Sequence, residues 1–422
     1  MSAQPSPDSQ FRCPFARLRP ILRARDPARI GTAGRVVLKM LAGLRYGTLD
    51  LQLPDGSVRR FGIGNADGPR ARMMLSNWNV CAAVLKSGDT GFAEAYLAGD
   101  WQTDDLRALL DLMVGNRASI EKAVYGSWPG RLMQRLRHLR HANTKAGSRR
   151  NIQAHYDLGN AFYALWLDET MTYSSALFDS ERSQTLVDAQ RAKYRRLLAE
   201  LRIDGDATRV LEIGCGWGGF AELAARESNA HVTGVTLSKE QLAHGRARIA
   251  QGGLSERVEL RLQDYRDLRG QFDAIASIEM FEAVGEQYWP SYFECLARNL
   301  KRGGRACVQT ITIDDALFER YRKSSDFIQQ YVFPGGMLPS PSVFAECARK
   351  HGLKVVNRLS FGFDYARTLT LWRDAFLLKL DAVREQQFDE RFIRLWDFYL
   401  CYCAAAFDHA NTDVIQFTLE HA

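Results

Sequence analysis

The chain has 422 residues, 46% hydrophobic and 25% charged, with 56 Lys and Arg against 49 Asp and Glu for a formal net charge of +7. This composition excludes a disordered chain, a collagen and a coiled coil, and the length allows two domains or more. The positive balance favours a polyanionic partner, nucleic acid or an anionic membrane surface, without choosing between them. Cys13, Cys81, Cys215, Cys295, Cys307, Cys347, Cys401 and Cys403 are scattered with no CxxC pair. Neither a disulfide framework nor a thiolate metal site is therefore expected, no metal is assigned, and a reducing cytoplasm fits. Met1 to Pro20 lacks an apolar signal core, and no stretch approaches the roughly 20 apolar residues of a bilayer span, so any membrane contact is expected to be peripheral.

In chain order, residues 11–45 interleave Arg12, Arg17, Arg19, Arg23, Arg25, Arg29, Arg35, Lys39 and Arg45 with apolar residues and read as basic amphipathic helix. Such a helix suits a membrane surface, or a solvated face packed on its own domain. From Gly47 to Gly62 the pattern becomes alternating, with a Pro54-Asp55-Gly56 turn, and predicts a hairpin. Residues 90–113 return to helical spacing, and a second basic stretch runs from Arg131 to Arg150. Its small, polar part, Asn143 to Ser148, marks the boundary between a smaller N-terminal α+β domain, 1–145, and a larger one, 146–422. Beyond it, apolar runs near 209–213, 231–236, 257–262, 272–277 and 305–311 alternate with helical patterns. The economical reading is α/β, a doubly wound, mostly parallel sheet.

The run from Val210 to Phe220 is an apolar strand carrying Glu212 and leading into a turn with Gly214, Gly216 and Gly218 that opens a helix. Glycines there let the backbone bend sharply and let a ligand approach where a Cβ would clash. A nicotinamide-binding fold would end its second strand in an acid, but His231 to Thr236 ends without one, leaving Glu212 as the acid at hand. With Gln263-Asp264-Tyr265 after the third strand and Phe272 to Ser277 as the fourth, the arrangement resembles the Rossmann-like class I S-adenosylmethionine-dependent methyltransferases. That resemblance implies a sulfonium cofactor along the glycine loop, with its adenine at Asp264 and Tyr265.

Further motifs follow in order: Tyr156-Asp-Leu-Gly-Asn160, Met171-Thr-Tyr-Ser-Ser175, Gly234-Val-Thr-Leu-Ser238 with Gln241, Met280-Phe-Glu-Ala-Val-Gly285, Phe333-Pro-Gly-Gly336 with Leu338-Pro-Ser340, and Tyr365-Ala-Arg-Thr-Leu-Thr-Leu-Trp372. Over about residues 150–420 the chain is similar to the cyclopropane fatty acid and mycolic acid cyclopropane synthase family, and its N-terminal region resembles the extra domain of the phospholipid-acting bacterial members. The resemblance implies a methyltransferase acting on the double bond of an unsaturated phospholipid acyl chain, peripheral to the inner face of the membrane, with a homodimer as one assembly known among relatives. It places Tyr173, Ser174, Gly214, Gly216, Trp217, Thr236, Gln241 and Tyr265 on the cofactor; Glu212 and Gly218 complete the expected set. It also implies a bicarbonate ion held by Glu282, Tyr365 and the backbone at Ser175 and Ile311. The chain departs from the family where Ser175 replaces a cysteine, Gln309 a histidine and Ala283 a histidine. These substitutions resemble a branch that makes methyl-branched chains.

The chemistry asks for such a site. An isolated alkene is a poor nucleophile, so the donor methyl must be held within about 3–3.5 Å of carbon. Water would capture the resulting cation, so the pocket must be dry. Phe162, Tyr163, Trp166, Phe178, Phe281 and Phe333 are candidate walls, and Phe392, Leu395, Trp396, Phe398, Tyr399, Cys403 and Phe407 a candidate tunnel face. Glu282, alone or through bicarbonate and oriented by Tyr365, is the expected base, with Gln309 nearby. Rival readings are another lipid-like or small-molecule alkene, a catalytically silent lipid-binding homologue, and a nucleic-acid enzyme. The last lacks any Asn-Pro-Pro-Tyr-type base-flipping motif, so no nucleic-acid partner is expected.

Overall fold

The structure, a computed structural model, describes residues 30–63, 68–124, 158–179, 184–203 and 208–422. The expected domain boundary, the basic stretch 131–150 and the basic residues before position 30 lie outside the described residues.

The N-terminal unit comprises α1 (Thr32–Leu41), β1 (Thr48–Gln52), β2 (Val58–Phe61), β3 (Arg70–Leu75), α2 (Asn79–Leu97), β4 (Trp101–Thr103), α3 (Leu106–Gly115) and α4 (Arg117–Val124). Its sheet has the order β2-β1-β3-β4. The expected hairpin forms, with Leu49 opposite Phe61 and Gln52 opposite Val58. Leu49, Leu51 and Leu53 point into the core, as their alternation requires. On α1, Leu38 and Leu41 are buried while Arg35 and Lys39 face outward.

The helical reading of 90–113 holds for 90–97 and 106–113, and the structure corrects it between them. The chain leaves α2, turns at Gly99 with φ +78° and enters β4. Tertiary packing overrides the helical spacing here: the buried Trp101 ring stacks on Phe92 at 4.3 Å, and its Nε1–H donates to the Phe92 carbonyl at 3.0 Å.

The larger unit begins with α5 (Asn160–Tyr163) and α6 (Leu186–Leu201), then alternates β5 (Arg209–Ile213), α7 (Gly219–Ser228), β6 (His231–Thr236), α8 (Lys239–Gln251), β7 (Val258–Leu262) and β8 (Phe272–Ile278). It continues with α9 (Trp289–Asn299), β9 (Leu300–Ile313), α10 (Asp315–Tyr321), α11 (Phe327–Tyr331), α12 (Pro341–Lys350) and β10 (Leu353–Ser360). It ends with α13 (Gly362–Leu377), α14 (Leu380–Glu385), α15 (Glu390–Asp408) and β11 (Thr412–His421). The strand order is β10-β11-β9-β8-β5-β6-β7. The five expected strands pair in parallel, and β11 runs antiparallel between β9 and β10. The order reverses between β5 and β8, the switch point at whose carboxyl end open α/β sheets bind ligands.

Helix α15 joins the two units. Its Trp396 packs on Phe162 and Trp166 of the larger unit at 5.1 and 5.8 Å, while Phe398 reaches Phe92 and Tyr96 of the smaller one. The Tyr402 hydroxyl donates to Asp89 at 2.8 Å, just past the Gly88 kink of α2, and His409 meets Asp111 at 2.7 Å. Among the described residues no helix is long and apolar enough to cross a membrane.

Trp101→Ala removes a buried ring and its hydrogen bond to the Phe92 carbonyl. It is expected to cost about 3–5 kcal/mol in urea unfolding; an unchanged midpoint contradicts the assigned role of β4.

Candidate active site

Strand β5 is buried as far as Ile213 and delivers Glu212 and the glycine turn to the switch point. Gly214 has φ +85°, and a Cβ there would come within 2.8 Å of Met280; at Gly216 an added Cβ meets nothing within 4 Å. The open space is a cavity of about 150 Å³. Tyr173, Ser174, Glu212, Gly214, Gly216, Trp217, Thr236, Gln241 and Tyr265, all named from sequence, line it. Gly218 and Asp264 stand behind the wall. Gly218 is the N-cap of α7 and packs against Gly245, whereas Asp264 holds Arg266, a lining residue, through its guanidinium at 2.7 Å.

The cavity walls are braced by polar contacts. Trp217 Nε1–H donates to Asn160 at 2.7 Å and Thr236 Oγ1–H to Gln241 at 2.9 Å. The Glu212 carboxyl, pushed up to about 8 by burial against the pull of the Ala221 N–H and Lys193, leaves Oε2 with no hydrogen-bond partner. A glycine cradle, an unpartnered carboxyl oxygen and the Tyr265 ring beyond β7 fit the sugar and base of S-adenosylmethionine.

A second cavity of about 700 Å³ adjoins the first. Its walls include Ile311, Ile328, Phe333, Leu369, Tyr399 and Phe407, and Arg117, Arg320 and Lys323 lie in its polar part. Of the expected tunnel face, Tyr399, Cys403 and Phe407 line it; Phe392, Leu395, Trp396 and Phe398 are core. Of the expected aromatic wall only Phe333 takes part, because Phe162, Tyr163 and Trp166 pack with α15, Phe281 with Trp289 and Tyr292, and Phe178 with Ala189. The two cavities share Tyr173, Glu279 and Ala283.

Glu279, which the sequence reading missed, sits at that junction just past the end of β8, in the left-handed region with φ +47°. Its Oε1 accepts the Ser175 N–H at 2.8 Å and Gln309 Nε2–H at 2.8 Å, and the Tyr365 hydroxyl hydrogen-bonds the same carboxylate. The Gln309 amide is oriented by a chain of donors. Arg196 donates to Gln416, whose Nε2–H donates at 3.0 Å to Gln309 Oε1, which turns Gln309 Nε2 towards Glu279. Arginine cannot accept and a carboxylate cannot donate, so both ends fix the direction. Gln416 and Gln309 are opposite each other in the β11–β9 ladder.

Lys193, wholly buried and also missed, donates to Ser174 Oγ at 2.6 Å; burial pulls its ammonium down, while Glu279, Asp168 and Glu212 hold it up. Glu282 Oε1 accepts the Ile311 N–H, and its Oε2 has no partner. Burial and the charge of Glu279 push its carboxyl up to about 8. Tyr365 thus serves Glu279 rather than Glu282, the partner first expected. Ser175 and Gln309 are 0% exposed and line neither cavity, while Ile311 reaches the larger one. An acid at the carboxyl end of a buried strand, Glu279 just after β8 and Glu212 one residue before the end of β5, was the signal that would have found Glu279. Among the described residues no His, Cys, Asp and Glu cluster could hold a metal ion.

A family model described as mycolic acid cyclopropane synthetase matches residues 143–417. The chain belongs to that family. It is 40% identical over 345 residues to a tuberculostearic acid methyltransferase of Mycobacterium tuberculosis, covering 80% of each chain. It is 34% identical over 357 residues to a cyclopropane-fatty-acyl-phospholipid synthase of Escherichia coli, covering 83% of this chain and 88% of that one. Among solved structures, a mycolic acid cyclopropane synthase complexed with S-adenosylhomocysteine and CTAB superposes with a TM-score of 0.60 and 33% identity, covering 64% of this chain and 97% of that one. The protein is an S-adenosylmethionine-dependent methyltransferase of the cyclopropane synthase family with a Rossmann-like fold.

Two outcomes test the site. Gly216→Ala puts a methyl group into the cofactor space without meeting protein atoms. It is expected to fold while its calorimetric affinity for S-adenosylhomocysteine falls by at least about tenfold; wild-type affinity contradicts the cradle. Glu282 is ionised in the unfolded chain above 4.5 and neutral in the folded one up to about 8. The folded state therefore holds the extra proton across that window, and wild-type stability declines through it as pH rises. Glu282→Gln is expected to gain melting temperature relative to wild type across the same window; parallel pH curves contradict a neutral Glu282.

Proposed function

We propose that this protein transfers a methyl group from S-adenosylmethionine to the double bond of an unsaturated acyl chain still esterified in a membrane phospholipid. The observation that carries this reading is the junction of the glycine-lined cavity of about 150 Å³ with a largely apolar one of about 700 Å³, the latter inside the range of about 300–1,000 Å³ usual for ligand sites. When bound, S-adenosylmethionine supplies an electrophilic methyl group. Glu212 and Gln241 bind the nucleoside end, Trp217 and Tyr265 wall it, and Tyr173 stands where the two ligands meet. The Tyr173 hydroxyl is tied to Tyr399 at 2.8 Å, which fixes its ring beside the acyl cavity.

Withdrawing a chain from hydrocarbon into water costs about 0.8 kcal/mol per CH₂, so an apolar receiver is required. Ile311, Ile328, Leu369 and Phe407 supply it. They also keep water from a cation that Tyr173 and Phe333 face with their rings. The proton that must then leave has two buried carboxyls near it, Glu279 and Glu282, the charge of the first raising the second. Loss from the new methyl closes a cyclopropane. Loss after a hydride shift leaves a methylene branch, which becomes a methyl branch only with hydride from a separate donor. Ser175, Gln309 and Ala283, together with the 40% identity to a tuberculostearic acid methyltransferase, favour the branched outcome.

We assign residues 1–145, with their basic linker, to lipid docking at the inner membrane surface, where basic residues near an anionic leaflet contribute roughly 1 kcal/mol each. A homodimer would present two such surfaces.

Labelled S-adenosylmethionine with dioleoylphosphatidylglycerol vesicles, followed by mass analysis of the released fatty acids, is expected to show one added carbon per modified chain. Label found only in added polynucleotide, or none in lipid, overturns the reading. Leu369→Trp, which fills the acyl cavity, is expected to keep S-adenosylhomocysteine affinity and to lose methyl transfer by about 10²-fold or more.

A further inference from the structure

We propose that Glu279 is the base of this reaction, a carboxylate built into the chain that takes the hydrogen bonds an external small anion would otherwise need. The inference rests on the function proposed above and names the group that removes its proton.

Four observations carry it. Glu279 lines both cavities, so its carboxylate borders the donor and the acyl chain together, whereas Glu282 lines only the larger one. The donors converging on it, the Ser175 N–H and Gln309 Nε2–H at 2.8 Å each and the Tyr365 hydroxyl, are those of an anion site. Ser175 and Gln309 sit behind it and reach neither cavity, so an anion in the cavities would find both groups already engaged. Finally, Glu279 holds φ +47°, a conformation costly for a residue with a Cβ and kept where the surroundings over-determine it. The N–H of Glu279 donates to the Gln309 carbonyl at 2.8 Å, and that bond pins the strained backbone.

The charge balance agrees. Burial lifts the Glu279 carboxyl, which makes it a stronger base, while Lys193, Gln309, the Ser175 N–H and Tyr365 all favour its charged form. Glu282 has burial first and then the Glu279 charge against its anion, and the Ile311 N–H, its own N–H and the Thr310 hydroxyl do not offset them, so of the pair Glu282 keeps the proton.

The step balances without another reagent. The alkene π pair forms the new bond to the methyl carbon as the carbon–sulfur bond breaks with its pair left on sulfur, and the neighbouring chain carbon becomes the cation. Glu279 then takes a proton from the new methyl: directly, so that the released C–H pair closes the ring, or after a hydride shift has moved the cation to the methyl-bearing carbon, so that the pair forms the double bond of the methylene.

The test uses the full chain with dioleoylphosphatidylglycerol vesicles in buffer stripped of carbon dioxide, beside calorimetric titration with sodium bicarbonate. Wild type is expected to turn over equally with and without bicarbonate and to show no bicarbonate heat. Glu279→Gln is expected to keep S-adenosylhomocysteine affinity and to lose turnover by about 10²–10⁴-fold. Glu279→Gly, which suits the positive φ and opens the anion site, is expected to bind bicarbonate and to regain turnover with bicarbonate or formate, a rescue that a merely structural glutamate would not give. Bicarbonate binding to wild type, a fall in wild-type turnover when bicarbonate is removed, or Glu279→Gln activity within about tenfold of wild type overturns the proposal. The calorimetric arm decides even if wild type leaves the vesicles unlabelled, an outcome that would fail the lipid reading instead.

Discussion

A negative charge held out of water at the meeting point of two cavities is the constraint on which the architecture depends. An isolated buried carboxylate is prohibitively costly, so the Glu279 anion exists only because neighbouring elements aim donors or positive charge at it. Helix α6 brings Lys193 and, through Arg196, the start of the amide chain; β9 and β11 carry Gln309 and Gln416; the segment before α6 presents the Ser175 N–H; α13 contributes Tyr365. Each of these elements has an ordinary packing role as well. Together they solvate one side chain, and dryness elsewhere in the junction then becomes tolerable.

The same economy explains how the sheet is extended. Five parallel strands place the glycine cradle and Glu212 at the switch point. Adding β11 antiparallel to β9 brings Gln416 opposite Gln309, a pairing that the parallel part of the sheet could not provide. Helix α15 then closes the acyl cavity with Tyr399, Cys403 and Phe407 while its other faces tie the small unit to the large one. The N-terminal unit is therefore part of the cavity: Ser87, Asp89 and Arg117 belong to the lining.

Much of this was legible in the residues. The strand-and-glycine pattern from Val210 to Phe220 and the alternation of Leu49, Leu51 and Leu53 were local signals, and local signals survive folding. What the sequence hid was of two kinds. Trp101 sits in a helical apolar rhythm yet forms a strand, because a ring stacked on Phe92 outweighs spacing. Glu279 looked like one more acid beside a better-known motif; its importance comes from Ser175, Gln309 and Tyr365, residues 30 to 104 positions away that only the fold assembles. In the sequence Ser175 and Gln309 stand out only as departures from the family pattern. In the structure they are the groups that bind Glu279.

The central claim is electrostatic, and it has a direct spectroscopic signature. Infrared difference spectroscopy of Glu282→Gln against the Glu279→Gln, Glu282→Gln double variant at neutral pH, a background in which Glu282 cannot ionise in response, is expected to show the loss of an ionised-carboxylate stretch with no loss of a protonated carboxyl C=O band. Loss of the protonated C=O band instead would mean that Glu279 rests as a neutral acid, and the account of the junction would fail.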